Sequence, residues 1–335
     1  MSVTVSEPGM DSDALRSVDH HREAAPDSSP EAASAPVACP GMHKDGRTQV
    51  RPKLWLDGAL LDAESAQIPL TTHALHYGSG VFEGIRSYAT ANGGTAVFRL
   101  PEHLRRMQRG CALLDIPFDS AQASQAILQT LRANAHRDAY IRPLAWCGTG
   151  SIGLDVSALS KHLMVTTLAS KVHLAVERVR LTRSPWKRNP SSSLPPLKLC
   201  GAYVNSILAK REAKQRGFDE ALFVDGDGLV VECTGANVFM VRAGRVTAVE
   251  HVDALAGITR DSVIQLVGAD TRKLAYEELR DADEVFVCGT AAEVLPIGEL
   301  DGRRYAESLT REIAAHYQRV VRGEDASRLG WLSHV

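Results

Sequence analysis

The sequence predicts an α+β fold with two domains, on the basis of three observations. The chain has 335 residues, and a chain of this length usually builds more than one core. Its predicted strands follow one another in hairpins, with helices between the groups of strands. The single Gly-x-Gly-x-x-Gly run, Gly148-Thr-Gly-Ser-Ile-Gly, is not followed by a predicted helix, so the strand–glycine turn–helix unit of dinucleotide-binding parallel sheets is not found.

Composition and charge argue against several classes of protein. The net charge is −2, which gives no reason to expect nucleic acid or an anionic membrane as a partner. No apolar run approaches the roughly 20 residues that a membrane helix needs, and the N-terminus shows no signal-peptide pattern. The 6 cysteines form no CxxC pair and no zinc-type cluster with histidine. We therefore expect reduced thiols in a cytoplasmic protein without a metal site.

The first 50 residues are predicted to be a disordered extension. They are poor in aromatic residues and rich in Ala, Ser, Pro, Asp and Glu, so they cannot bury enough apolar surface to offset the entropy of ordering. His20, His21 and His43 lie in this segment. A metal role for them stays open beside the simpler interpretation of an unstructured polar tail.

Residues 51–169 are predicted to form a small α/β domain. Asp57-Gly58 suits a type I′ turn and joins two short strands, 53–56 and 59–62, into a hairpin. A helix is expected after Pro101, because proline is favourable in the first helical turn. Asp119 is expected to cap a second helix. Further strands are predicted at 96–100, 140–144 and 163–169.

A linker at 170–177 and a larger domain at 178–335 complete the predicted organisation. Four prolines and four serines between 184 and 197 predict a long loop beside the active site. A helix from Tyr203 should end before Gly217, which can adopt the left-handed conformation of a C-cap. Two hairpins, 221–232 and 237–249, should follow. Further elements are expected at 259–267 (helix), 283–288 (strand) and 305–322 (helix).

Lys198 is the first candidate for covalent chemistry. It follows the proline-rich loop and has apolar neighbours in Pro-Leu-Lys-Leu-Cys. A single lysine is normally a solvated surface charge. Among apolar groups, however, desolvation disfavours the ammonium and makes the amine a better nucleophile for a Schiff base. Tyr203 follows five residues later and can hydrogen-bond the same ligand, or it can be an ordinary aromatic residue on a helix face.

Glu232 is the candidate partner of a positively charged ligand. It ends the apolar run Leu-Val-Val-Glu, where a carboxylate is costly unless it is paired. A protonated pyridine nitrogen would satisfy it, and keeping that nitrogen charged would make the ring a stronger electron sink. The alternative is a surface glutamate at the end of a strand.

Two turns and one arginine are candidates for a phosphate site. Gly257-Ile-Thr-Arg-Asp and Gly289-Thr-Ala-Ala each place a threonine beside a small residue, where backbone N–H groups and hydroxyls can bind phosphate. Arg106 can add a charge-assisted hydrogen bond. Each feature alone is also typical of a capped turn or a solvated arginine.

Taken together, five co-linear segments resemble the fold-type IV pyridoxal-phosphate enzymes, and most closely the branched-chain amino-acid aminotransferases. The resemblance extends from Lys53 to the C-terminus and implies a D-amino-acid-aminotransferase-like fold, with a small α/β domain and a larger domain built on a β-barrel-like core. The matching segments are His73-Ala-Leu-His-Tyr-Gly, Val81-Phe-Glu-Gly-Ile-Arg, Tyr140-Ile-Arg-Pro-Leu, Gly257-Ile-Thr-Arg-Asp and Ala282-Asp-Glu-Val-Phe-Val-Cys-Gly-Thr-Ala-Ala-Glu.

The resemblance implies pyridoxal 5′-phosphate as cofactor and assigns the residues that hold it. Lys198 matches the catalytic lysine that forms the Schiff base and carries the proton between the substrate and the cofactor. Glu232 matches the partner of the pyridine nitrogen, and Tyr203 matches the tyrosine that binds the phenolic oxygen. The residues that match the phosphate site are Arg106, Ile258, Thr259 and Thr290.

The resemblance also implies a substrate pocket. Arg142 matches the arginine that receives the distal carboxylate of glutamate, and Thr290 and Ala291 match the turn that receives the α-carboxylate. Tyr77, Phe82 and Tyr140 match the walls for an apolar side chain, and Arg86 belongs to the matching Phe-Glu-Gly-Ile-Arg segment.

The function that the resemblance implies is ping-pong transamination of an L-amino acid with an apolar, branched side chain against 2-oxoglutarate. We expect small-molecule substrates only, and a homodimer or larger homo-oligomer by analogy. Three alternatives stay open: a D-amino-acid aminotransferase or aminodeoxychorismate-type lyase on the same fold, an aminotransferase of a specialised biosynthetic pathway, and a binding protein without catalysis.

Overall fold

The computed structural model describes residues 51–169 and 178–335, which belong to one compact unit of residues 49–335. The predicted disordered extension and the predicted linker at 170–177 lie outside the described residues. Within the described ranges, no helix combines the length and the apolar character needed to cross a membrane.

The first half of the chain forms an antiparallel sheet that the last strand of the chain completes. Its strands are β1 (Lys53–Leu56), β2 (Ala59–Asp62), β3 (Gly80–Phe82), β4 (Ile85–Ala89), β5 (Thr95–Phe98), β6 (Ala139–Cys147), β7 (Lys161–Ala169) and β17 (Leu332–His334). Their order is β17-β5-β4-β6-β7-β1-β2, with β3 paired to β6. The β1–β2 hairpin is confirmed, and its turn residues have φ of 47° at Asp57 and 104° at Gly58, as a type I′ turn requires.

The second half of the chain forms a mixed sheet of nine strands. These are β8 (Val179–Arg183), β9 (Glu220–Val224), β10 (Val230–Cys233), β11 (Asn237–Arg242), β12 (Arg245–Val249), β13 (Asp270–Arg272), β14 (Glu284–Gly289), β15 (Glu293–Leu300) and β16 (Arg303–Arg304). The order is β10-β9-β8-β15-β14-β11-β12-β13, with β16 paired to β15. Both predicted hairpins, β9–β10 and β11–β12, are confirmed.

Seven α-helices connect and cover the two sheets within the described ranges. They are α1 (His73–Tyr77), α2 (Leu100–Leu113), α3 (Ser120–Ala133), α4 (Tyr203–Gln215), α5 (Ile258–Val267), α6 (Tyr276–Arg280) and α7 (Ser308–Val321). Asp119 caps α3 by accepting from the N–H groups of Ala121 and Gln122, as predicted. Gly217 follows α4 with φ of 83°, a conformation that costs glycine little.

Apolar clusters fill both faces of the second sheet. Leu222, Val238 and Ile297 belong to the cluster on one face, and Phe239 and Phe286, whose ring centroids lie 4.7 Å apart, belong to the cluster that α5 and α7 cover. Burying both faces leaves the loops at the strand ends as the accessible part of the sheet, and the candidate site lies there.

Several strands were not predicted from the sequence. For two of them, β17 and β15, the structure shows why the local sequence gives no strand signal. Strand β17 has three residues and forms because it pairs with β5, with Ser333 opposite Val97, which no local pattern reveals. Strand β15 contains Pro296 and Gly298, two residues that weaken a strand signal. The predicted loop at 184–197 contains no helix or strand, as expected.

Candidate active site

One cavity brings together residues that are far apart in the sequence. It is lined by residues of the first sheet and α2, by the proline-rich loop and by the strand ends of the second sheet. The lining includes nine predicted site residues: Arg106, Tyr140, Lys198, Tyr203, Glu232, Ile258, Thr259, Thr290 and Ala291.

Lys198 is held at the end of the proline-rich loop by its backbone. Its carbonyl accepts from the Phe82 N–H at 3.1 Å, and Leu199 forms a bridge with Val81. The side chain donates from Nζ to the Tyr203 hydroxyl at 2.7 Å. Nζ also lies 4.8 Å from the ring centroid of Phe82. The amine is therefore oriented by the Tyr203 hydroxyl and by the rings of Phe82 and Tyr203, rather than by a carboxylate.

Glu232 is 5% exposed, is the last residue but one of strand β10, and lines the same cavity. Its Oε1 accepts from Arg188 Nε at 2.9 Å, and its Oε2 accepts from the Leu255 N–H at 3.1 Å. Asn237 Nδ2 approaches the same Oε2 at 3.3 Å. Burial raises the pKa of Glu232, and the Arg188 guanidinium opposes that rise.

Arg188 is a site residue that the sequence reasoning missed. It lies on the predicted loop, is buried, and also lines the cavity. Its Nη1 approaches Asn205 and Ser206 of α4 at 3.5 and 3.4 Å. The loop's composition indicated a position beside the site, but nothing in the sequence singled out this arginine from its neighbour Lys187.

The start of helix α5 forms one end of the cavity. Gly257 precedes the helix, and Ile258 and Thr259 are its first two residues, both buried. The N–H groups of a first helical turn have no partner within the helix, and they carry the positive end of its dipole. Thr290 and Ala291, in the turn between β14 and β15, line the cavity beside them. This arrangement suits an anionic group.

Gly257 makes the close packing at this end possible. A Cβ atom at this position would lie 1.9 Å from Asn237 Oδ1, far inside contact distance. Asn237 in turn donates to the Leu255 carbonyl at 3.0 Å and approaches Glu232. The absence of a side chain at 257 thus lets one amide connect the α5 turn with the buried carboxylate.

Arg106 lines the cavity but is also tied to a buried carboxylate. Its Nε and Nη2 donate to the two oxygens of Glu83 at 2.7 and 2.8 Å, and its Nη1 donates to the Ala256 carbonyl at 2.8 Å. These bonds use three of the five N–H donors of the guanidinium. The other two can serve a ligand, with the side chain already fixed in orientation.

Glu83 is the centre of a buried ionic cluster. It is fully buried and also accepts from His103 Nδ1 at 2.8 Å. Burial alone would raise the pKa of the Glu83 carboxyl, but the charges of Arg106 and His103 outweigh it and hold the pKa well below the usual range. No role was predicted for Glu83 from the sequence, where it is one residue of the matching Phe-Glu-Gly-Ile-Arg segment.

A second cavity adjoins Lys198 and contains the predicted pocket residues Phe82, Tyr140 and Arg142. The Arg142 guanidinium lies 4.7 Å from the Phe82 ring centroid and donates to the Tyr140 hydroxyl at 2.9 Å. Its Nε is buried and has no hydrogen-bond partner among the described residues. An apolar pocket with one arginine can accept either a hydrocarbon chain or a carboxylate.

The structure does not bring Tyr77 and Arg86 into these cavities. Tyr77 is 46% exposed at the end of α1. Arg86 is buried, and its Nη1 lies 3.0 Å from Oε1 of Glu293, which also accepts from Tyr88 at 2.8 Å. Arg86 therefore supports the strand that follows Thr290 and Ala291 rather than lining the pocket in this chain.

Comparison with known proteins gives the same family throughout. The family model for amino-transferase class IV matches residues 80–300. A branched-chain-amino-acid aminotransferase of Pseudomonas aeruginosa is 33% identical over 298 residues, covering 84% of this chain and 97% of the relative. The Escherichia coli protein of the same name is 33% identical over 300 residues, with the same coverage of both chains.

Solved structures show the same similarity in three dimensions. The branched-chain aminotransferase from Thermoproteus uzoniensis with norvaline has a TM-score of 0.80 at 39% identity, covering 84% of this chain and 98% of that one. The PLP-form of the enzyme from Thermobaculum terrenum has a TM-score of 0.79 at 32% identity, covering 85% and 98%. The fold is that of the class IV aminotransferases, and the chain belongs to this family.

Proposed function

We propose that this chain is a pyridoxal-phosphate-dependent aminotransferase that acts on an L-amino acid with an apolar, branched side chain and uses 2-oxoglutarate as acceptor. One observation carries the proposal: the Lys198 amine and the buried Glu232 carboxylate line the same cavity as the start of helix α5. The names of the related proteins, branched-chain aminotransferases, support the same substrate class.

The donor set of the cavity fits the cofactor. The cofactor has an aldehyde, a phenolic oxygen, a pyridine nitrogen and a phosphate. The cavity offers an amine at Lys198, a phenol at Tyr203, a carboxylate at Glu232 and the unpaired N–H groups of α5 near Arg106. Gly257, where a Cβ would meet Asn237, lets the start of α5 pack close to the amide that approaches Glu232. Each chemical group of the cofactor thus has a partner of matching type.

Bound pyridoxal phosphate supplies an electron sink for the negative charge that develops on the substrate Cα. Lys198 would hold the cofactor through its Nζ, and its amine would carry the proton to and from the substrate Cα. Tyr203, which accepts a hydrogen bond from Nζ, orients that amine. Glu232 would hold the protonated pyridine nitrogen, and Arg188 opposes the rise in the pKa of Glu232 that burial causes.

The second cavity accounts for two substrates of different polarity. Phe82 and Leu144 offer apolar walls, and Arg142 lies at the same cavity with a buried Nε that has no hydrogen-bond partner among the described residues. In the first half-reaction the walls would receive a branched side chain. In the second, Arg142 would bind the distal carboxylate of 2-oxoglutarate.

We infer that the active assembly is a homodimer or larger. Tyr77 lies outside the residues that line the two cavities and is half-exposed, and exposed apolar side chains surround it in the sequence: Leu70 is 86% and Leu75 59% exposed. Such a patch is typical of an interaction surface. Tyr77 would then complete the pocket of a second copy, which sedimentation analysis combined with a Tyr77→Ala variant can test. A fully active monomer contradicts this inference.

The test of the function is an absorption spectrum of the purified protein, recorded before and after addition of L-leucine, L-glutamate and D-alanine in turn. We expect a near-visible band from the lysine-bound cofactor, bleached by both L-amino acids. If only D-alanine changes the band, the fold assignment would stand, but the proposed L-amino-acid substrate would be contradicted. The absence of a band after reconstitution with pyridoxal phosphate would contradict the catalytic proposal.

A further inference from the structure

A second group of residues, from helix α2 and the start of helix α5, lines a separate groove. Its volume of about 650 Å³ lies in the range typical of small-molecule sites. Its walls come from one face of α2, from Ala256 and Gly257, and from the first turn of α5. The groove is lined by five arginines, Arg99, Arg105, Arg106, Arg109 and Arg260, and by two acidic residues, Glu102 and Asp261.

Three carboxylates neutralise three of these arginines. Glu83 pairs with Arg106. Asp261 pairs with Arg99 at 2.9 Å, and Glu102 lies 3.2 Å from Arg105. The guanidinium groups of Arg106 and Arg99 are buried and held in place by these pairs, whereas the exposed pair of Arg105 adds little order.

Two arginines are left with their charge uncompensated. Within the described part of the chain, no carboxylate lies at ion-pair distance from Arg109 or Arg260. Arg260 donates from Nε to the Val249 carbonyl at 3.1 Å, which fixes its position without neutralising it. Arg109 lies four residues after Arg105 on α2, where like charges repel. A concave site with two unpaired positive charges favours a ligand with at least two negative charges.

Two further features favour an anion in this groove. Ile258, Arg260 and Asp261 of the first turn of α5 line the groove, so the positive end of the helix dipole lies close to it. Guanidinium groups match phosphate better than a point charge does, because two parallel N–H groups meet two oxygens.

We propose that this groove between α2 and α5 binds a small polyphosphate-bearing molecule, with Arg109 and Arg260 as its principal contacts. The site is distinct from the catalytic cavity and does not depend on the transamination reaction. The two share Arg106, Gly257 and Ile258 as a common wall. A ligand in the groove would therefore change the affinity of the catalytic cavity for a phosphate. By linkage, a phosphate in the catalytic cavity would change the affinity of the groove for its ligand by the same factor.

Calorimetric titration of the cofactor-loaded enzyme with inorganic pyrophosphate, ATP and citrate tests the proposal. We expect pyrophosphate and ATP to bind at one site per chain, with affinity that falls as salt rises. Tighter binding of ATP would identify a nucleotide as the ligand class, and equal affinities would identify the phosphates alone. Equal or tighter binding of citrate, or no binding of either phosphate compound, would overturn the proposal.

Charge-reversal variants locate the site. Arg109→Glu should weaken pyrophosphate binding by about ten-fold or more, because one charge-assisted contact is lost and a repulsive charge is gained. Arg211→Glu reverses a comparable exposed arginine on α4, outside the groove, and should bind as the wild type does. Arg260→Gln gives a second, independent measure. Wild-type affinity in both groove variants would show that the anion binds elsewhere. Retention of the near-visible cofactor band shows that each variant is folded.

Discussion

Arg188 donates a hydrogen bond from Nε to Oε1 of Glu232 across 2.9 Å, and both side chains are more than nine-tenths buried. The pair joins a loop without regular structure to the end of strand β10. Glu232 also accepts from a backbone N–H and lies near Asn237, so its carboxylate is held in one orientation. The buried carboxylate can remain ionised because a cation and fixed dipoles compensate its desolvation.

Replacing Arg188 by methionine should shift the pH dependence of turnover. Burial already raises the pKa of Glu232, and removing the guanidinium should raise it further. Since the ionised carboxylate is the active form, the acidic limb of the kcat profile should move to higher pH. Arg188→Lys keeps a positive charge and should move the limb less. An unchanged limb in the methionine variant would show that Arg188 has only a structural role.

Replacing Lys198 by alanine should abolish turnover and leave the protein folded. Within the described part of the chain, the amine donates a hydrogen bond only to Tyr203, so little packing is lost. Loss of the proton carrier alone should cost about 10²–10⁴-fold in rate. Turnover is measured with L-leucine and 2-oxoglutarate, and folding by circular dichroism. Tyr203→Phe is the matched variant, because it removes the partner hydroxyl and keeps the amine; its activity should fall less. A folded alanine variant with normal turnover contradicts the assignment.

Replacing Arg142 by alanine should impair glutamate more than leucine. The guanidinium would lose a charge-assisted contact with the distal carboxylate, which is worth about 1.5–3 kcal/mol, or roughly ten- to a hundred-fold in kcat/KM. Leucine has no such carboxylate and should lose less. The measurement is kcat/KM for both amino acids, with Arg142→Lys as a control that retains the charge. Equal losses for the two substrates would remove the role proposed for Arg142.

Replacing Gly257 by alanine should weaken cofactor binding and lower stability. The new Cβ would lie 1.9 Å from Asn237 Oδ1, which forces apart the α5 turn and the amide beside Glu232. Overpacking of this kind costs about 1–3 kcal/mol. Gly226→Ala is the control, since nothing lies within 4 Å of a Cβ there. Thermal unfolding and the dissociation constant for pyridoxal phosphate are measured for both. Equal values in the two variants would show that the turn can relax without cost.

Replacing Glu83 by glutamine should destabilise the protein at neutral pH and less so in acid. A carboxyl whose pKa falls on folding stabilises the native state above its unfolded pKa, and this contribution is lost as pH falls toward the folded pKa. Breaking a buried ion pair costs about 3–5 kcal/mol. Denaturant unfolding of wild type and variant is compared at pH 7 and in steps below the unfolded pKa of about 4.3. A difference in stability that does not shrink toward acid would contradict this account.

Local features of the sequence determined much of the secondary structure. The turn at Asp57-Gly58, the cap at Asp119 and the glycine at 217 depend on the conformational preferences of single residues, which do not need the rest of the chain. Strand β17 could not be predicted in this way, because its three residues are extended only through pairing with β5. A strand defined by its partner has no signal of its own in the sequence.

The sequence by itself also determined which cofactor to expect, because five co-linear segments resemble a family of pyridoxal-phosphate enzymes. Only the tertiary structure decided which groups support the predicted cofactor-binding residues. Arg188 pairs with Glu232 across 44 positions of sequence, and Glu83 pairs with Arg106 across 23. Arg86, expected at the pocket, instead pairs with Glu293. The direction of a side chain depends on the packing of elements distant in sequence, and that packing is fixed only when the chain folds.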